Sequence, residues 1–335
     1  MAPVAEPEVE AEAPPEPEAP PPKVPKDAFS VGTFNLDWAF DALGDRRSKS
    51  AKPNVAPDDD TWEWKRDRIV EVLVAEKLDV VALVELGGER ELSDIVTSVL
   101  AKDGPDYEYA WMPSEDRATG QHVAILSRFP ISNERRTDAY LPKHLVADVE
   151  LPSGDTITVI ALHLPEGKYK GSVTKRRKMA ESLKRRAKKQ AKTRPVIMLG
   201  TVGARSLPFD DDYEQSAAGM LAGRSTRSET DDCADSASET LAQATTVGDG
   251  LPLDRIFVCG LEMRGAETSG EELVVREEND PPKTPWPSVA VAEAPHRDVS
   301  DHVVLWAEVV MPKKPEPEPD AEAGGGGQGA EADAE

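Results

Sequence analysis

Cysteine is nearly absent from this chain: Cys233 and Cys259 are the two in 335 residues. Two thiols at that spacing exclude a zinc-finger ligand set and a disulfide-rich scaffold. Free thiols are the expectation, with a structural disulfide as the alternative. Long apolar runs are also missing. No stretch reaches ~18 residues, which excludes a membrane-spanning helix. The first residues show neither a basic n-region nor an apolar h-region, so the expected location is the cytoplasm. Positive charge is in deficit: 40 Lys and Arg against 63 Asp and Glu leave −23. That excludes a general affinity for nucleic acid through bulk charge.

Large apolar side chains are scarce at both ends. Residues 1–27 are mostly Pro, Glu and Ala, and residues 311–335 repeat this and add "GGGG". Neither can bury enough surface to offset the entropy of ordering, so both are expected to be disordered tails. Each tail carries seven acids and two lysines, a net −5, which leaves −13 on residues 28–310. That span suits one large α/β domain, expected to act as a monomer.

Within it, short apolar runs alternate with amphipathic segments. "FSVGTFN" (29–35) reads as a strand. Asp60 and Glu63 form a capping-box-like start, after which Ile69, Val70, Leu73 and Val74 share a helix face. "DVVALVE" (79–85) is a buried strand. Leu92, Ile95, Val96, Val99 and Leu100 give a second helical stripe. Strands follow at "YEYAWM", "HVAILS", "VADVEL" and "TITVIALHL", the last two joined by a hairpin turn at "PSGD". A basic helix at about 173–192 turns Met179, Leu183 and Ala187 inward. "PVIMLG" is the next strand. Residues 204–250 read mostly as loop, and "DRIFVCGL", "ELVVRE" and "HVVLWAEVV" supply the final strands. So many strands, several in hairpins, point to two packed mixed sheets with helices outside.

Isolated polar residues sit at the strand ends. Asn35 and Glu85 close the first two strands, and His163 lies near the end of a third. Asp254 opens "DRIFV", and Asp301 and His302 open the last strand. Ligands gather beyond one edge of an α/β sheet, and antiparallel strands bring their starts to the edge where their neighbours end. Singly, each residue has a plainer reading as a turn former, a cap or a core histidine. As a set they mark one edge.

The succession "FNLDW", "VALVELGG", "HVAILSRFPI", "ALHL", "DRIFV", "SDHVVLWAEV" resembles the endonuclease/exonuclease/phosphatase superfamily over about residues 29–310. The resemblance implies a four-layer α/β sandwich and hydrolysis of phosphate esters with a divalent metal, Mg²⁺ or Mn²⁺. Carried over by position, it implies Glu85 as principal metal ligand, with Asn35 and Asp301 completing the metal and phosphate shell. His302 would contact the phosphate or transfer a proton, with Asp254 orienting its ring and His163 as second histidine. The family's Gly-Asp-x-Asn motif is replaced here by Gly200-Thr201-Val202-Gly203. The missing Asp is the family's candidate for activating water, and the missing Asn helps hold the phosphate. Three readings follow: a phosphoester hydrolase (nuclease or phosphodiesterase) of reduced activity, an inactive pseudoenzyme that binds a phosphate-containing ligand or a protein partner, or a purely structural interaction module with long acidic tails.

Residues 170–194 hold twelve Lys and Arg against one Glu. Arg176, Arg177, Arg185 and Arg186 are candidate phosphate contacts, whether to a phosphate-ester substrate, to nucleic acid or to an anionic lipid surface. The alternative is a solvated outer helix balanced by the acidic loop or tails. Only Tyr169 is aromatic nearby, so stacking on single-stranded bases is poorly supported.

Overall fold

Strand residues that are apolar at consecutive positions, not at alternate ones, must be covered on both faces, and this dictates the architecture. The computed structural model describes residues 28–39, 59–112, 121–136, 144–165, 170–203, 212–224, 232–237, 253–270, 300 and 302–312. The strands are β1 (Ala28–Ala39), β2 (Val80–Leu86), β3 (Tyr109–Trp111), β4 (His122–Ser127), β5 (Ile131–Arg136), β6 (Leu145–Glu150), β7 (Thr156–His163), β8 (Val196–Thr201), β9 (Ala234–Asp235), β10 (Asp254–Cys259), β11 (Glu262–Ser269) and β12 (Val304–Val310). The helices are α1 (Asp59–Glu76), α2 (Glu89–Ala101), α3 (Lys170–Gln190) and α4 (Ala217–Ala222).

The strands form two mixed six-stranded sheets, ordered β11-β12-β1-β2-β4-β3 and β5-β6-β7-β8-β10-β9. Alternate β2 residues divide between two cores. Val80, Ala82 and Val84 point into the space between the sheets, against Val159, Leu199 and Ile256. Val81 and Leu83 point outward to Ile69, Leu73 and Ile95 of α1 and α2. The second sheet does the same: Ile160 and Met198 face Ala180, Leu183 and Leu221 of α3 and α4. The expected four-layer sandwich of two mixed sheets between helices is therefore what forms.

Several local expectations change. Leu100, read as part of the inner stripe of α2, is 54% exposed, because Leu92, Ile95 and Val99 already fill the contact with the sheet. In α3 the fully inward position falls to Ala180, with Met179 half-buried beside it. The span 204–250, read as loop, holds α4, which is capped by the Ser216 hydroxyl accepting from the Gly219 amide. "ISNERR" and "EMRGAETS" carry too few apolar residues to read as strands, yet they form the sheet members β5 and β11. "ELVVRE" lies outside the described residues.

The cysteines correct a further expectation: they form a disulfide and are not free. The cause is tertiary register. β9 pairs antiparallel with β10, Ala234 opposite Val258 and Asp235 opposite Phe257, which sets Cys233 against Cys259 with their Cα atoms 4.3 Å apart.

Candidate active site

The strand directions collect the polar ends. β1 and β2 run parallel and finish at the rim. β7 and β8 also run parallel and finish there, while β10 runs antiparallel to β8 and starts there. Register places His163 beside Thr201 and Thr201 beside Asp254, so three neighbouring strands present their rim residues in one row.

Glu85 sits in an irregularity of the β2–β4 ladder: Val84 pairs Val123, Leu86 pairs His122, and Glu85 is skipped. Its φ of +67° places a non-glycine residue in the left-handed region, at a cost of roughly 1–2 kcal/mol. Strain of this kind concentrates where a side chain must be re-aimed, and bulges serve that end. The re-aimed carboxylate is nearly buried, and Gln121, His163 and Asn35 approach it. Gln121 Nε2 donates to Oε2 at 2.6 Å, His163 Nε2 lies 3.3 Å from Oε1, and Asn35 Nδ2 approaches Oε1 at 3.5 Å.

From Asn35 a buried chain of hydrogen bonds crosses to the other sheet. Asn35 Nδ2 donates to Thr201 Oγ1 at 3.0 Å, and Thr201 Oγ1 donates to Asp254 Oδ1 at 2.6 Å. Asp254 Oδ2 lies 2.5 Å from His302 Nδ1. Ser300 pins the two ends: its hydroxyl donates to the Asn35 carbonyl at 2.6 Å and accepts from the His302 amide at 2.9 Å. The backbone before Thr201 admits only glycine, because a Cβ on Gly200 (φ +138°) would lie 2.0 Å from the Leu162 carbonyl oxygen.

Of the residues singled out in the sequence, Asn35, Glu85, His163, Thr201, Asp254 and His302 thus come together. Asp301 lies outside the described residues. Gly203 adopts φ +64° and donates its amide to the Leu253 carbonyl, so that position offers backbone geometry alone. Arg176 does not present itself as a phosphate contact. It is buried and donates from Nη1 to the Pro165 carbonyl at 2.7 Å, tying α3 to the chain that leaves β7. Arg177 reaches Gln215 Oε1 at 3.2 Å.

Three participants are new. Gln121 holds Glu85, Ser300 holds Asn35 and His302, and His144 Nδ1 accepts from the His163 amide at 3.1 Å. Gln121 stands two residues before "VAIL", as Asp254 stands two before "IFV", and His144 directly precedes "LVA", so the rule that finds Asp254 also finds them. Nothing local marks Ser300.

Among the described residues, no three His, Cys, Asp or Glu side chains are placed to hold a metal ion. The donor set is one buried carboxylate with an amide beside it. That suits a hard, largely hydrated cation such as magnesium, which takes one or two carboxylates plus waters and substrate oxygens. It does not suit a closed protein cage.

The fold recurs in solved proteins. One is an endonuclease/exonuclease/phosphatase from Beutenbergia cavernae, 17% identical, covering 85% of this chain and 72% of that one, TM-score 0.53. Another is D. rerio TDP2 complexed with a single-strand DNA product, 15% identical, 85% and 99% covered, TM-score 0.55. A third is the Bacteroides thetaiotaomicron mannosyl-6-phosphatase Bt3783, 14% identical, 84% and 100% covered, TM-score 0.54. No curated protein matches by sequence. At these identities the likeness establishes the fold. Residues 32–302, which run from β1 to the histidine of the buried chain, match the Endonuclease/Exonuclease/phosphatase family, and the chain belongs to it.

Proposed function

We propose that the protein is a metal-dependent phosphoester hydrolase of the nuclease or phosphodiesterase type, slowed because Thr201 and Gly203 stand where the family carries Asp and Asn. The observation that supports this is the unbroken chain His302–Asp254–Thr201–Asn35–Glu85. It keeps a histidine–carboxylate pair and a metal-type carboxylate on one rim. Glu85, with Asn35 and Asp301, would hold Mg²⁺ or Mn²⁺, which when bound supplies positive charge against the phosphoryl oxygens. Asp254 accepts at His302 Nδ1 and so assigns proton exchange or phosphate contact to Nε2. Thr201 cannot take a proton from water near neutral pH, and loss of a general base costs about 10²–10⁴-fold in rate.

The second reading, a pseudoenzyme that binds a phosphate ligand or a protein partner, draws on the same contacts. Both oxygens of Glu85 already meet side chains, and Thr201 satisfies Asp254 where an acid would face it. The deciding experiment screens plasmid DNA, an abasic oligonucleotide, a sugar phosphate and a generic phosphodiester with each metal. The natural protein runs beside Glu85→Gln, His302→Ala and the double change Thr201→Asp, Gly203→Asn. Asparagine tolerates the left-handed backbone at 203. Slow turnover that both single changes abolish supports the hydrolase. Turnover that appears only in the double variant supports the pseudoenzyme, and turnover indifferent to Glu85 and His302 refutes the site.

No described helix is long and apolar enough to cross a membrane. A monomer in the cytoplasm is the placement we propose. It requires the Cys233–Cys259 disulfide to be exchangeable, because the cytosol keeps thiols reduced.

A further inference from the structure

A cavity lies at the far end of β10 from Asp254. It encloses about 270 Å³ between the last turns of α3 and the disulfide, and its walls include Lys184, Lys188, Lys192, Asp232, Cys233 and Cys259. Lys184 and Lys188 are one turn apart on the same face of α3, and Lys192 follows in the turn just beyond the helix, so all three line the cavity. Lys184 is 8% exposed, and its Nζ donates to Cys233 Sγ at 3.3 Å. Asp232, the acid on the wall, is paired with Arg224 at 2.6 Å, which offsets its charge.

A buried ammonium gains little from a disulfide sulfur, which is a weak acceptor. It gains much more from a thiolate. Lys184 is therefore placed to stabilise a thiolate on Cys233 once the S–S bond opens. We propose that this cavity is a thiol–disulfide exchange site for an anionic low-molecular-weight thiol. The lysines at the rim draw in the anion. Its thiolate sulfur bonds to Cys259 Sγ as the Cys259–Cys233 bond breaks, and the electron pair leaves on Cys233 Sγ beside Lys184. The products are a mixed disulfide on Cys259 and a thiolate on Cys233. No net oxidation occurs, and the proton lost by the incoming thiol goes to solvent. The attacked sulfur is Cys259 because the better leaving group is the thiolate that Lys184 stabilises. Backbone pairing of β9 with β10 and the Cys233 amide bond to the Ala222 carbonyl hold the region after the bond opens.

The test exposes the folded, full-length protein to 2-mercaptoethanesulfonate, 2-mercaptoethanol and cysteamine at equal thiolate concentration. Samples are quenched in acid, and the adduct is located by peptide mass spectrometry. The anionic thiol should react roughly tenfold faster than the cationic one, with the adduct on Cys259. Lys188 and Lys192 are exposed, so the double variant Lys188→Gln, Lys192→Gln should fold and should lose the charge preference. Equal rates for the two charged thiols, an adduct on Cys233, or a disulfide inert to all three would overturn the proposal.

Discussion

Thr201→Val tests whether the hydroxyl joins the two halves of the rim. The side chains are nearly the same shape, and residue 201 is fully buried, so packing changes little. Two hydrogen bonds vanish. One is donated to the Asp254 carboxylate at 2.6 Å, and the other is accepted from Asn35 Nδ2 at 3.0 Å. A hydrogen bond to a charged group contributes about 1.5–3 kcal/mol and a neutral one about 0.5–1.5 kcal/mol. Asp254 is 1% exposed, so water does not replace the lost donor. Asn35 keeps its longer approach to Glu85, which limits the loss on that side. The expected cost is therefore about 3 kcal/mol. Urea unfolding should show it as a lower midpoint at unchanged slope. Thr201→Ser keeps the hydroxyl and loses one methyl group, so it should cost about 1 kcal/mol. If valine costs no more than serine, the hydroxyl does not join the halves, and the site argued from it fails.

Gly200→Ala should lose more than about 4 kcal/mol, because its Cβ would meet the Leu162 carbonyl at 2.0 Å; soluble yield and melting temperature report it. Cys233→Ser with Cys259→Ser opens a loop of 26-residue separation and should cost about 3 kcal/mol in the same urea assay. Burial first, then the Asp235 charge and hydrogen bond, pushes the Tyr213 hydroxyl above its usual 10.0. The native state then keeps a proton that the unfolded chain has released, so stability falls as pH rises past about 10. Tyr213→Phe should remove that residue's share of the alkaline loss in unfolding curves between pH 9 and about 11.

The sequence by itself determined the layering. Continuous apolar runs such as "VVALV" and "VIMLG" must be covered on both faces, and the helical stripes supply the covers. It also determined most of the rim, since a lone polar residue at the end of a buried strand can be satisfied only at an edge. That Thr201 and Gly203 stand where the family resemblance implies Asp and Asn is visible without any coordinates. Only the tertiary structure decided how the gap is filled. Thr201 bridges Asn35 and Asp254 because residues 35, 201 and 254 come from strands of both sheets, at sequence separations of 166 and 53. The same holds for Ser300, 265 residues from its partner Asn35. It holds for Arg176, turned inward to Pro165, and for the two cysteines, which pair because β9 adopts one register against β10. A local pattern fixes which face a residue takes. Which residue meets it there depends on the closing of the two sheets over one another.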